Sequence, residues 1–107
     1  MKLEPPYLID DRKLTHYLLV YLSKDDKSNY LGLAGYTLTN WQVLKQDLLT
    51  LAKVGEAVIE RSDGYGIYFS VTGRLRGTNN RSISVKAIWM RDTDDEITKF
   101  ITLYPPN

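Results

Sequence analysis

After Gly55 the spacing of apolar residues falls from about 3.6 to 2, and this change of period constrains the fold more than any other feature of the chain. Before it, Leu14, Tyr17, Leu18, Tyr21 and Leu22 recur at the spacing of one helical face, with Asp10 or Asp11 placed to cap it. DDKSNYLGLAGY then breaks the period and reads as a connection with a helical turn at its centre. A second helix is predicted from Thr39, where TNWQ makes a capping box of Thr39 and Gln42. Trp41, Leu44, Leu48, Leu51 and Ala52 form its apolar stripe, and Gly55 follows as a left-handed C-cap.

Beyond Gly55, EAVIERS, IYFSVTGRL, SISVKAIWM and ITKFITLY read as strands separated by SDGYG, GTNNR and RDTDDE. Alternation turns Ile67, Phe69, Val71 and Leu75 inward, with Ile83, Val85, Ala87 and Trp89, and then Ile97, Ile101 and Leu103. The opposite face receives Tyr68, Ser70, Thr72 and Arg74, then Ser84, Lys86, Ile88 and Met90, then Thr98, Phe100, Thr102 and Tyr104. The expected fold is α+β: two N-terminal helices packed on one face of a roughly four-stranded antiparallel meander, residues 1–107 forming one domain and the other sheet face left bare. Trp89, Tyr17 and Tyr21 are read as core residues.

Composition narrows the chemistry. The chain has no cysteine and one histidine, so a thiolate metal site, a disulfide framework and a histidine cluster are all absent from its repertoire. No cofactor or metal is expected. MKLEPPYLID lacks the basic start and apolar run of a signal peptide, and no segment is apolar enough to span a membrane, so a cytoplasmic protein without a membrane partner is expected. Net charge is +1, yet between positions 61 and 91 six cations (Arg61, Arg74, Arg76, Arg81, Lys86, Arg91) face only Asp63, a local excess of +5. Such an excess draws phosphate.

Five short motifs occur in order: RKLTHYLL (12–19), KSNYLGLAGY (27–36), NWQVL (40–44), VKAIW (85–89) and TLYP (102–105). Together they resemble a small bacterial family catalogued as a domain of unknown function, over nearly the whole chain. The resemblance implies the helix, helix, four-strand order shared by barnase, EndoU, colicin nucleases and RelE, which are RNA-cleaving toxins. By that analogy the chain is expected to be a metal-independent ribonuclease toxin, with RNA as substrate and a cognate antitoxin masking the bare sheet. One departure stands out: many such nucleases use a histidine near the sheet, whereas His16 lies on the first helix.

Cleaving RNA without a metal requires a base for the 2′-hydroxyl, an acid for the leaving oxygen and cations for the phosphate charge. On the bare face Arg74 is the expected phosphate clamp, Lys86 the proton carrier beside it, and Tyr104 a phenolic donor or acceptor. Thr102 would position a phosphate oxygen, while Arg76, Arg81 and Tyr68 would hold flanking nucleotides. His16 and Lys27 are further candidates. Two other readings fit the same face: a non-catalytic module, such as an antitoxin, immunity protein or adaptor, using Phe100, Ile88 and Met90 as an interface, or an RNA-binding protein that does not cleave.

Overall fold

The computed structural model describes residues 1–106. The chain enters through a two-residue strand, β1 (Tyr7–Leu8). Asp10 then accepts a hydrogen bond from the Arg12 N–H at 3.0 Å and opens α1 (Asp11–Lys13), which widens at once into a π-helical turn, Leu14–Leu18. The wider turn brings Leu14, Leu18 and Leu19 to the core and the helix stops there. The predicted stripe therefore does not continue, and Tyr21, expected in the core, is 71% exposed. The Asp26 carboxylate ties down the following loop, accepting from the Leu22 and Asn29 N–H groups at 2.9 and 3.1 Å. α2 (Ser28–Gly32) is the helical turn expected within that connection.

The capping box lies two residues ahead of its predicted place. Thr37 and Asn40 cap each other around a 3-10 turn, Leu38–Asn40, with the Thr37 N–H donating to Asn40 Oδ1 at 2.8 Å. The Asn40 amide also donates to the Gly35 carbonyl at 3.0 Å, a tie to the preceding loop that favours this box over the one at Thr39 and Gln42. α3 (Trp41–Val54) buries Leu44, Leu48, Leu51 and Ala52, as its spacing predicts.

Gly55 ends α3 through its N–H to the Leu51 carbonyl at 2.8 Å, but with φ of −76° it is not the left-handed cap that the sequence suggests. Space selects glycine here. A Cβ would lie 2.4 Å from Val71 Cγ1 and 2.7 Å from the Leu51 carbonyl oxygen. Gly55→Ala is accordingly expected to cost about 1–3 kcal/mol, the usual range for overpacking, seen as a lower urea midpoint. A variant as stable as the parent would refute this close approach of helix and sheet.

β2 (Ala57–Ser62), β3 (Gly66–Leu75), β4 (Ile83–Asp92) and β5 (Thr98–Tyr104) make the expected antiparallel meander. β1 adds a fifth, parallel member beside β5, with Tyr7 opposite Thr98, so the sheet order is β1-β5-β4-β3-β2. Two paired residues beside Pro5 and Pro6 carry no period, which hides this strand from sequence reading. Phe69, Val71, Leu75, Val85, Ala87, Trp89 and Leu103 meet the helices in one core. Ile67, at the far end of β3, is partly exposed instead. Among the described residues no helix is long and apolar enough to cross a membrane.

Two bulges adjust the sheet. On β5 the register slips between Ile88 and Trp89: Thr102 opposes Ile88, Phe100 opposes Trp89, and Ile101 is the extra residue. An inserted residue reverses the alternation on one side of it. Phe100, expected on the bare face, is therefore buried at 2% exposure with its ring 5.3 Å from that of Trp89, and Thr98 is buried too. Ile101, expected in the core, turns to the other face. On β2 the register slips between Ile59 and Arg61, with Glu60 the extra residue.

Candidate functional site

The β2 bulge puts Glu60 over the bare sheet face. Its Oε2 accepts from the Ser70 hydroxyl of β3 at 2.7 Å and lies 3.8 Å from Lys86 Nζ of β4. Lys86 is paired across the sheet with Tyr104 of β5, and its ammonium stands 5.9 Å from the centre of that ring. The guanidinium of Arg61, next after the bulge, stacks 3.9 Å from the Tyr68 ring centre while donating to Asp63 at 3.0 Å. Glu60, Arg61, Tyr68 and Tyr104, with Ile88 and Ile101 beneath them, line a depression of about 330 Å³. Both bulge residues, Glu60 and Ile101, line it. A carboxylate, a guanidinium and two phenols thus share one concave surface with the Lys86 ammonium beside the carboxylate, a set able to move protons and hold an anion.

Of the residues expected to form the site, Lys86, Tyr104 and Tyr68 come together here. Arg74 stands apart: its guanidinium donates to the Ser82 hydroxyl at 2.7 and 3.2 Å and lines a separate hollow beside Asp47 and Thr50 of α3. The charge facing Lys86 is therefore the Glu60 carboxylate and not Arg74. Arg76 lines that same hollow on the helix side. Arg81 sits in the β3–β4 turn, which docks back on the loop after α2 through Thr78 N–H to the Ala34 carbonyl at 2.7 Å. Tyr36 anchors the turn, its hydroxyl donating to the Asp47 carboxylate and accepting from the Gly77 N–H at 2.9 Å. Burial first, and then the adjacent Asp47 carboxylate, push the Tyr36 phenol well above its ordinary range. Arg74, Arg76 and Arg81 thus follow the end of the sheet and leave the depression to Lys86 and Arg61.

Thr102 joins a second cluster at the β5 edge. Its hydroxyl is 3.0 Å from that of Tyr17, whose ring packs partly buried against the core as its spacing predicts, and Lys27 Nζ stands 5.6 Å from the Tyr17 ring centre. Burial would raise the Tyr17 phenol, but the Thr102 hydrogen bond and the ammonium groups of Lys27 and Lys13 outweigh it and hold the phenol below its ordinary range. His16 is exposed, Nδ1 lying 2.9 Å from the Thr15 hydroxyl, at the rim of a depression that Tyr17 also lines.

Sequence reading missed Glu60, Arg61 and Tyr17 as site residues. Glu60 stands one position outside the basic stretch, and only the bulge places it beside Lys86. Tyr17 fits the spacing of Leu14 and Leu18, which disguises its hydroxyl's outward partner.

No curated protein matches this chain. Among solved structures, a chain of a contact-dependent growth inhibition toxin–immunity protein complex from Klebsiella pneumoniae 342 is similar in fold, with a TM-score of 0.66, 19% identity and 92% of each chain covered. A family model described as domain of unknown function (DUF6883) matches residues 5–107, so nearly all of the sequence is accounted for by one family. The chain belongs to that family.

Proposed function

We propose that the chain is a ribonuclease toxin domain that cleaves RNA without a metal in the Glu60–Lys86–Tyr104 depression. The observation that carries this reading is the Glu60 carboxylate 3.8 Å from Lys86, in a cup also lined by Arg61 and Tyr104. Glu60 takes the proton of a ribose 2′-hydroxyl as its oxygen attacks the adjacent phosphorus. The bond from phosphorus to the 5′-oxygen breaks, and Tyr104 protonates that departing oxygen. Lys86 and Arg61 neutralise the charge gathering on the phosphate, so the products are a 2′,3′-cyclic phosphate and a 5′-hydroxyl. The assignment moves the clamp from Arg74, held by Ser82, to Lys86 and Arg61. Likeness in fold to a chain of a toxin–immunity protein complex supports a member of such a pair, which in this reading is the toxin, with a protein partner.

Purified chain incubated with total RNA and a chelator should yield cyclic-phosphate ends. Lys86→Ala should slow this roughly 10²-fold or more, since it removes a cation acting on the transition state. RNA left intact by the parent sinks the reading.

That outcome would favour a second reading, a non-catalytic interaction module, on a different surface from the one expected. β2 is an edge strand of the sheet; Ala57 at its start donates to the Met1 carbonyl at 2.7 Å, and beyond that contact it exposes Val58 at 59% and Ile59 at 54%. Such an edge suits a partner protein that adds a strand. Phe100, expected at this interface, is buried and takes no part.

A further inference from the structure

Three hollows on this molecule adjoin one another in series through shared lining residues. The catalytic cup ends at Ile101. Ile101 also lines a hollow of about 290 Å³ with Lys13 and Lys99. Lys13 and Asp10 in turn also line an open depression of about 440 Å³ with Arg12, His16 and Tyr17. The bulge that expels Ile101 from the core makes this join, because without the extra residue the strand would turn that side chain inward.

At the far end, the carboxylate in the lining, Asp10, is taken up by the Arg12 guanidinium at 3.2 Å and leaves Lys13 without a partner. Lys13 and Lys27 are ion-paired with no carboxylate among the described residues, unlike Lys99, whose ammonium is 2.8 Å from Asp95. Both adjoin Tyr17, Lys13 in the same depression and Lys27 at 5.6 Å from the ring centre, and the Tyr17 hydroxyl is 3.0 Å from that of Thr102. Each hydroxyl can donate only one hydrogen, and one of the two serves their mutual bond; the other has at most the Leu103 carbonyl, 3.4 Å from the Thr102 hydroxyl, a long contact that a closer anionic oxygen would displace. Two unneutralised ammonium groups around a hydroxyl donor suit an anion with several oxygens.

We infer that the Tyr17–Thr102 pair, with Lys13 and Lys27, is a phosphate-binding subsite for a single-stranded RNA whose scissile bond lies in the cup and whose flanking strand crosses Ile101. The inference rests on the ribonuclease reading and adds to it a dependence on length: a strand that reaches the subsite binds more tightly than one that fills only the cup. The substrate class is unpaired RNA, whose separate bases are free to lie against the Tyr68 and Tyr104 rings that line the cup.

The test uses binding of uncleavable 2′-O-methyl RNA, read by fluorescence anisotropy, so that catalysis does not enter. The parent should bind a hexanucleotide at least ten times more tightly than a dinucleotide. Lys13→Ala/Lys27→Ala should erase that advantage, leave the dinucleotide unaffected, and flatten the salt dependence by about 0.7 for each phosphate no longer neutralised. Tyr17→Phe, which keeps the ring and removes the hydroxyl, should lose part of the advantage, and Lys13→Arg/Lys27→Arg should keep most of it. If the parent binds both lengths alike, or the double Ala variant keeps the full advantage, the subsite is refuted while the cup stands. If the parent binds neither length, the ribonuclease reading falls with it.

Discussion

Glu60→Gln is expected to reduce RNA cleavage by about 10²–10⁴-fold, the usual worth of a positioned acid or base. The amide keeps the size of the side chain and can still meet the Ser70 hydroxyl, but it cannot accept a proton from a ribose hydroxyl. It also removes the negative partner of Lys86. Binding of an uncleavable RNA should therefore hold or strengthen while turnover collapses, a split that a merely structural carboxylate would not give. The ion pair is more than a third exposed on the Glu60 side, so its loss should hardly alter the urea midpoint. If Glu60→Gln cleaves as fast as the parent, the base lies elsewhere and the cup is not the site.

The second large effect is on stability. Trp89 is completely buried, with edge-on contacts to Phe100 at 5.3 Å and Tyr7 at 6.3 Å between ring centres. These contacts join β4 to β5 and to the N-terminal segment. Trp89→Ala should cost about 3–5 kcal/mol, a large share of what a domain of this size usually has. The indole N–H has no hydrogen-bond partner, which carries a desolvation penalty that a phenyl ring would not. Trp89→Phe is thus expected to be clearly milder than Trp89→Ala, by more than ring size alone suggests. Denaturation in urea, followed by circular dichroism, distinguishes the two; equal losses would mean that the orphan N–H costs nothing.

The elements that depend on a long repeated pattern are legible in the sequence. α3 and the four strands of the meander come from spacing sustained over a dozen residues or several alternations, and tertiary packing does not override it. The pairing of Lys86 with Tyr104 follows from the same alternation. What escapes reading depends on single insertions. One extra residue at Ile101 exchanges the faces of Phe100 and Thr98, and one at Glu60 delivers the carboxylate to the site. Neither insertion leaves a trace in residue type, because isoleucine and glutamate sit as readily in a regular strand. The π turn at Leu14–Leu18 is similar: it changes which residues after Leu18 face inward while the sequence keeps a regular helical stripe. Arg74 misleads for another reason. Its backbone position fits the bare face, but a long side chain ends where its best acceptor lies, here Ser82.

The parallel pairing of Tyr7 with Thr98 has a consequence for when the proposed site is complete. β1 leaves the ribosome long before β5, so a nascent chain carries Tyr7 and Leu8 without their strand partner while the rest of the sheet is being made. Tyr104 and Thr102 belong to that same late strand. A growing chain can fold the hairpins of β2 to β4 early, yet it has neither hydroxyl in place until β5 emerges, so the proposed cleavage would wait until the whole sheet has closed.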